Sequence, residues 1–320
     1  MKIVVTISPG NSGGGAVHDF IEMNTEYTSP FSGHEFRLLQ DPDGLINLYN
    51  NFYPDFTINN CANALQRFKR YTEALSELEM LVNTKNEKIF KGLNTISNEF
   101  IKKITLLNYS ALPQFSALQL NLYERILLKI REKFLNIRSN NQNIIKMILP
   151  KNEKIFHKAS RKFLKNLIKF KAPNKSKIIL DQAISIWNYN KIFNFFDNLK
   201  VIIVTRDPRS VFYSMQSRSS KGYPGQEVKK FVCWYSFIIN KFHSNLNKSP
   251  KNKNVLKVNF ENFVTKKNTK EEILKFIGEK EINYKFNFSE SKYNAFKAQT
   301  LLSNEDQMYI KNKLKPFLQW

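Results

Sequence analysis

The chain has 320 residues, 42% of them hydrophobic, enough for a sizeable core and for one large α/β domain. Lys and Arg number 50 against 27 Asp and Glu, a formal charge of +23, which favours anionic ligands; the accompanying abundance of Asn, Ile and Phe marks an A/T-rich coding bias and halves the weight of that charge. Two cysteines, Cys61 and Cys233, exclude a disulfide framework or a cysteine zinc site, and no apolar run reaches membrane-span length, so a reduced, metal-free, cytoplasmic protein is expected.

The chain opens on a β-rich run, Lys2 to Thr6 (KIVVT), followed by ISPGNSGGGAVHDF, Ile7 to Phe20. A strand, a glycine-rich turn and a helix start gather backbone N–H groups and a positive dipole end around one small volume, which suits phosphate or sulfate. Against the pattern GxxxxGK[ST], Gly10 and Gly15 have the correct spacing, but Ala16 and Val17 stand where lysine and Ser/Thr belong. Both the phosphate clamp and the magnesium ligand are missing, which counts against a P-loop small-molecule kinase. A turn without a ligand is the plain alternative, set against the entropic cost of three consecutive glycines, Gly13 to Gly15.

Further short apolar runs at Glu35 to Leu39, Lys177 to Leu180, Lys200 to Thr205 and Val255 to Val258 read as buried parallel strands. Helical patterns at Asn59 to Val82 and Gln182 to Asp197 alternate with them, so the expected fold is a P-loop-type, doubly wound, mainly parallel α/β sheet. From about 57 to 175 the rhythm breaks into helical patterns, including Leu118 to Ile137 and Glu153 to Phe170, with Lys and Arg on the polar faces. The chain therefore reads as a single domain, 1–320, carrying a helical insertion at about 57–175. Ser139 to Asn143 and Lys248 to Asn254 read as exposed loops, and no internal repeat is present.

In KVIIVTRDPRSVFYSM, Lys200 to Met215, a buried strand ends at Arg206, turns through Asp-Pro and enters a helix bearing Ser214. Open α/β sheets bind ligands at the carboxyl ends of their strands, and an arginine fork beside a hydroxyl makes a second phosphate site.

These two segments resemble the sulfotransferases that use 3′-phosphoadenosine 5′-phosphosulfate. Ser12, Gly13 and Gly14 match that family's Ser-Gly-Thr loop for the 5′-phosphosulfate, and Arg206 and Ser214 match its Arg and Ser for the 3′-phosphate. Val255 to Val264 is similar to its strand ending in an aromatic-Glu step, and Ser291 to Asp306 to its C-terminal basic loop. The family's basic residue in the first loop is replaced by Asn11, and Lys297 or Arg37 are candidate substitute cations. The resemblance implies a bacterial-type sulfotransferase that moves a sulfo group, without metal, from the nucleotide donor to a hydroxyl acceptor, a carbohydrate first among the candidates. The donor would lie against Gly10 to Ala16, Arg206, Ser214 and Lys297. A general base is also required. In glycan sulfotransferases with a glutamate base it stands in a step resembling Lys-Glu-x-x-Phe, and Glu35 in HEFRLL holds the corresponding place, with His18 and His34 behind it. The competing non-enzymatic reading is a basic nucleotide- or nucleic-acid-binding protein in which Asn11 marks lost catalysis; nucleic acid is not the expected partner.

Overall fold

Ile3, Val4, Val5 and Ile7 leave the first strand almost no polar face, and such a run is stable only where both faces are covered. In the computed structural model it forms β1 (Lys2–Ile7), the buried centre of a parallel sheet. The structure describes residues 1–31, 34–77, 92–111, 145–217, 223–248, 252–280 and 285–319, with scattered positions between 122 and 130. The chain divides into two compact units, Met1–Gln40 with Leu164–Trp320, and Asp41–Phe163.

The second unit holds the helices Leu45–Phe52, Ile58–Glu77 and Leu93–Ile104 and an antiparallel pair, β2 (Thr105–Ala111) with β3 (Ile145–Pro150). Its core is aromatic: Phe100 stacks on Phe163 at 5.0 Å and meets Phe68 and Phe156 edge-on, each at 5.8 Å. The strand pair departs from the all-helical expectation for this segment. Runs of seven and six residues, TLLNYSA and IKMILP, are too short to display a helical period, and the ladder between them supplies their backbone partners instead. The helix expected at Leu118 to Ile137 lies largely outside the described residues, as do the loop Ser139 to Asn143, residues 78–82 and residues 249–251.

In the first unit β4 (Lys177–Asp181), β5 (Leu199–Thr205) and β6 (Val255–Asn259) join β1 in the order β4-β1-β5-β6, every pair parallel. The chain passes from β1 to one neighbour, β4, and then crosses to the other, β5. The direction reverses between β1 and β5, and that reversal opens a crevice at their carboxyl ends. Helix α1 (Gly14–Asn24) follows β1 and buries Val17, Phe20 and Ile21 against Val4, Ile179, Ile202 and Phe263. The helix Pro208–Ser217 follows β5 in the same way.

Two expected elements differ. Glu35 to Leu39 is not a strand but a loop closing in a 3₁₀ turn, Arg37–Leu39. The edge of β4 that such a strand would need is taken by Thr28, which donates its N–H to Lys177 O and accepts from Ile179 N, both at 3.1 Å. Gln182 to Asp197 is not an α-helix: a 3₁₀ stretch, Ile186–Asn194, runs there, and its buried residues Ile186, Tyr189 and Ile192 recur every third position, the period of that helix.

Phe20 is fully buried and lies edge-on to Phe263 at 5.3 Å, whereas Phe237 is 70% exposed. Phe20→Ala is expected to cost about 3–5 kcal/mol in denaturant unfolding and Phe237→Ala under about 0.5 kcal/mol.

Candidate active site

The crevice is a cleft of about 310 Å³ lined by Ser8, Asn11 to Ala16, Glu35, Asp181, Gln182, Arg206, Ser214, Phe260, Ser291 and Asn294. Strand order arranges these side chains in sequence across it. Arg206 and Ser214 come from the β5 side, the glycine-rich loop from β1 in the middle, and Asp181 and Gln182 from β4 on the far side.

The loop adopts its shape because of two positions. Gly13 has φ 86°, and a Cβ there would overlap the Phe260 ring. A side chain at Gly10 would likewise run into the ring of Tyr223. Asn11 also lies in the left-handed region, at φ 59°, where asparagine is among the residues best tolerated. No side chain caps α1 at Gly13, the N–H groups of a first helical turn have no intrahelical acceptor, and Gly14, Gly15 and Ala16 of that turn line the cleft.

Arg206 is 4% exposed and ties three segments together. Its Nη1 donates to Ser214 Oγ at 3.0 Å and to Asn11 O at 2.9 Å, and its Nη2 donates to Asn294 O. The guanidinium also lies 5.4 Å from the Phe260 ring centroid. The neighbouring acid, Asp207, pairs with Arg209, whose Nε and Nη2 form a two-pronged contact at 2.9 Å each. Asp207 N donates to Glu261 Oε1 at 3.0 Å, Gln319 N donates to Asp207 Oδ2 at 2.8 Å, and Tyr235 donates its hydroxyl to Arg206 O at 3.3 Å. These buried bonds fix the backbone from which Arg206 projects. Burial pushes the Glu261 carboxyl above its ordinary value, although its bond from the Asp207 N–H works the other way.

At the far side, Glu35 reaches the cleft with its side chain about half exposed, and Arg37 Nη1 stands 3.5 Å from its Oε2. The two segments are joined by Phe36 N, which donates to Asp181 O at 2.8 Å. Asp181 accepts from Thr6 Oγ1 at 3.1 Å. Burial raises its carboxyl above the ordinary aspartate value, against the opposing influence of the His18 imidazole and of the Thr6 bond. His18 itself is buried in α1, with Nδ1 3.2 Å from Asp19 Oδ1.

Of the residues singled out in the sequence, the cleft wall brings together Asn11, Ser12, Gly13, Gly14, Gly15, Ala16, Glu35, Arg206 and Ser214. Gly10, His18, His34 and Lys297 do not line it; Lys297 Nζ instead lies 5.5 Å from the Tyr213 ring centroid and 5.8 Å from that of Tyr293. Among the described lining residues Arg206 is the single cation, so neither Lys297 nor Arg37 stands in the wall where a basic residue is missing at Asn11. Sequence reading passed over Asp181 and Gln182. Their signal was available: a carboxylate and an amide at the carboxyl end of a parallel strand. Among the described residues, no group of three His, Cys, Asp or Glu side chains is placed to hold a metal ion, and no helix is long and apolar enough to cross a membrane.

No protein-family profile and no curated protein sequence matches the chain. Among solved structures, matches include the sulfotransferase domain from the Synechococcus PCC 7002 olefin synthase, with TM-score 0.46 and 12% identity over 98% of this chain and 94% of that one. The sulfotransferase domain from the curacin biosynthetic pathway matches with TM-score 0.42 and 12% identity, over 98% of this chain and 97% of its own. Sulfotransferase STF1 from Mycobacterium tuberculosis H37Rv matches with TM-score 0.42 and 11% identity, over 98% and 76%.

The buried Glu261 carboxyl gives a pH signature. A carboxyl raised in the folded state holds its proton to higher pH than the unfolded one, so its contribution to stability is full below the ordinary value of 4.5 and is lost as pH rises through the folded value. Glu261→Gln retains an oxygen for the Asp207 N–H and removes that loss. The stability difference between variant and wild type is expected to move in the variant's favour as pH rises from about 4 to about 8, read by urea unfolding across that range.

Proposed function

We propose that the chain is a sulfotransferase that takes the sulfo group of 3′-phosphoadenosine 5′-phosphosulfate and places it on a hydroxyl acceptor, with a carbohydrate as the acceptor class to test first. The observation that carries this reading is the meeting of two anion-holding elements in one cleft: the uncapped start of α1 with its glycine-rich loop, and the Arg206–Ser214 pair at 3.0 Å. A mononucleotide would need only one of them. A nucleotide with phosphates at both ends of its ribose uses both, and Arg206 meets the 3′-phosphate through a charge-assisted fork. The loop N–H groups and the α1 dipole receive the 5′-phosphate without a lysine or magnesium.

The same arrangement assigns roles to the remaining side chains. With the 3′-phosphate at the β5 side and the 5′-phosphate at the β1 loop, the next group along the donor points toward β4, where Glu35 stands beside Asp181. Glu35 is the proposed base: it accepts the proton of the attacking hydroxyl. Arg206, Ser214 and the loop hold the donor so that attack is in line. A P-loop kinase is disfavoured by Ala16 and Val17, which offer neither a γ-phosphate clamp nor a magnesium ligand.

Adenosine 3′,5′-bisphosphate is expected to bind in the presence of EDTA and to raise the melting temperature by linkage; no shift at millimolar ligand overturns the donor assignment. Arg206→Ala is expected to weaken that ligand by about 2–4 kcal/mol while adenosine 5′-phosphate binding changes little, as measured by calorimetry; equal weakening of both means that Arg206 only supports the fold. Glu35→Gln is expected to leave bisphosphate affinity unchanged and to slow transfer by about 10²–10⁴-fold.

A further inference from the structure

Among the described residues two that are not glycine have positive φ, Asn11 at 59° and Gln182 at 49°. They are far apart in sequence, and both line the same cleft. Left-handed backbone is uncommon for such residues and persists only where the surroundings over-determine it. Gln182 is held by several such bonds. Its own N–H donates to Thr6 O at 2.8 Å, and its carbonyl accepts from Gln40 Nε2 at 2.9 Å. Its side chain exchanges two bonds with Ser8: Ser8 N donates to Gln182 Oε1 at 3.2 Å, and Gln182 Nε2 donates to Ser8 Oγ at 2.7 Å.

That exchange fixes which way the amide faces. The Ser8 N–H requires an oxygen, so the NH₂ end is placed toward the glycine-rich loop, next to the space a Cβ on Gly14 would occupy. An amide nitrogen carries two hydrogens, and Ser8 Oγ takes one of them. The other is available to a ligand in the cleft. Its location follows from strand order: Gln182 sits at the end of β4, past the loop as seen from Arg206, where the group beyond the 5′-phosphate must lie.

We propose that Gln182 donates a hydrogen bond to the sulfo group of the donor, an uncharged substitute for the cation that Asn11 does not supply. This rests on the sulfotransferase reading above. During transfer the bond from sulfur to the bridging phosphate oxygen breaks, its electron pair leaving with the nucleotide bisphosphate. The acceptor oxygen forms the new bond to sulfur, and its proton passes to Glu35. Negative charge on the departing oxygen and on the sulfuryl oxygens is met by preorganised neutral donors, Gln182 Nε2 and the loop N–H groups. A strained backbone that aims one amide at this point is the cost of having no mobile lysine there.

The test compares two ligands that differ by the sulfo group, 3′-phosphoadenosine 5′-phosphosulfate and adenosine 3′,5′-bisphosphate, by calorimetry with wild type, Gln182→Ala, Gln182→Gly and Gln182→Glu. Gln182→Gly keeps the left-handed backbone accessible, so any effect it shares with Gln182→Ala belongs to the amide. The Ala and Gly variants are expected to lose about 3–10-fold in affinity for the sulfo donor, the worth of one neutral hydrogen bond, with bisphosphate affinity held within about twofold. Gln182→Glu puts a carboxylate against the anion and is expected to lose more for the sulfo donor than either. Hydrolysis of the bound donor, after subtraction of the protein-free rate, should slow by about 10²-fold in the Ala and Gly variants, the loss typical of one preorganised donor. Equal weakening of both ligands, or no weakening of either, overturns the role of Gln182 and leaves the sulfotransferase reading standing. A wild type that binds neither ligand overturns both.

Discussion

The buried guanidinium of Arg206 is the contact on which the site depends. One side chain bonds Asn11 of the first loop, Ser214 of the helix after β5 and Asn294 near the C-terminus, segments that the chain order separates widely. Burying a cation is costly unless acceptors surround it, and here two backbone carbonyls and a hydroxyl accept from its two Nη atoms. The protein thus holds the arginine in place with acceptors of its own. On the function proposed above, the 3′-phosphate would replace those neutral acceptors with charged ones, an exchange that strengthens the bonds without ordering a new side chain.

That arrangement requires a rigid support behind it. The Asp207–Arg209 pair, the bond from Asp207 N to Glu261 and the bond from Gln319 N to Asp207 join residues that do not line the cleft. They hold charge where little water reaches, so losing one partner would be costly and the bonds favour one geometry. Phe260 packs on Gly13 and also lies near Arg206, which links the loop to this support through an aromatic face.

Charge is unevenly distributed along the cleft. Among the described lining residues the charges are Arg206 at one end and Glu35 and Asp181 at the other, beside Gln182, and the middle is neutral: the glycine-rich loop with Ser8 and Ser12. Positive potential is therefore graded along the cleft rather than concentrated on one mobile ammonium. Such a distribution suits the proposed donor, with phosphates at both ends of its ribose, and leaves the carboxylates at the end where the proposed base stands.

The amino-acid sequence determined the four parallel strands and the two segments that meet in the cleft, because both are written locally. A run such as KIVVT or KVIIVT has no polar face to expose, and a glycine cluster or an arginine directly after such a run has one place to go, the carboxyl end of the strand. Tertiary structure decided what depends on partners. The strand expected at Glu35 to Leu39 lost its sheet edge to Thr28, and the helix expected after Gln182 tightened to a three-residue period. The seven- and six-residue runs of β2 and β3 became strands only by pairing with each other. Gln182 shows the limit most clearly: as a sequence position it is one polar residue after a strand, and its orientation in the cleft comes from a left-handed backbone and two bonds to Ser8, contacts between residues 174 positions apart that no local pattern encodes.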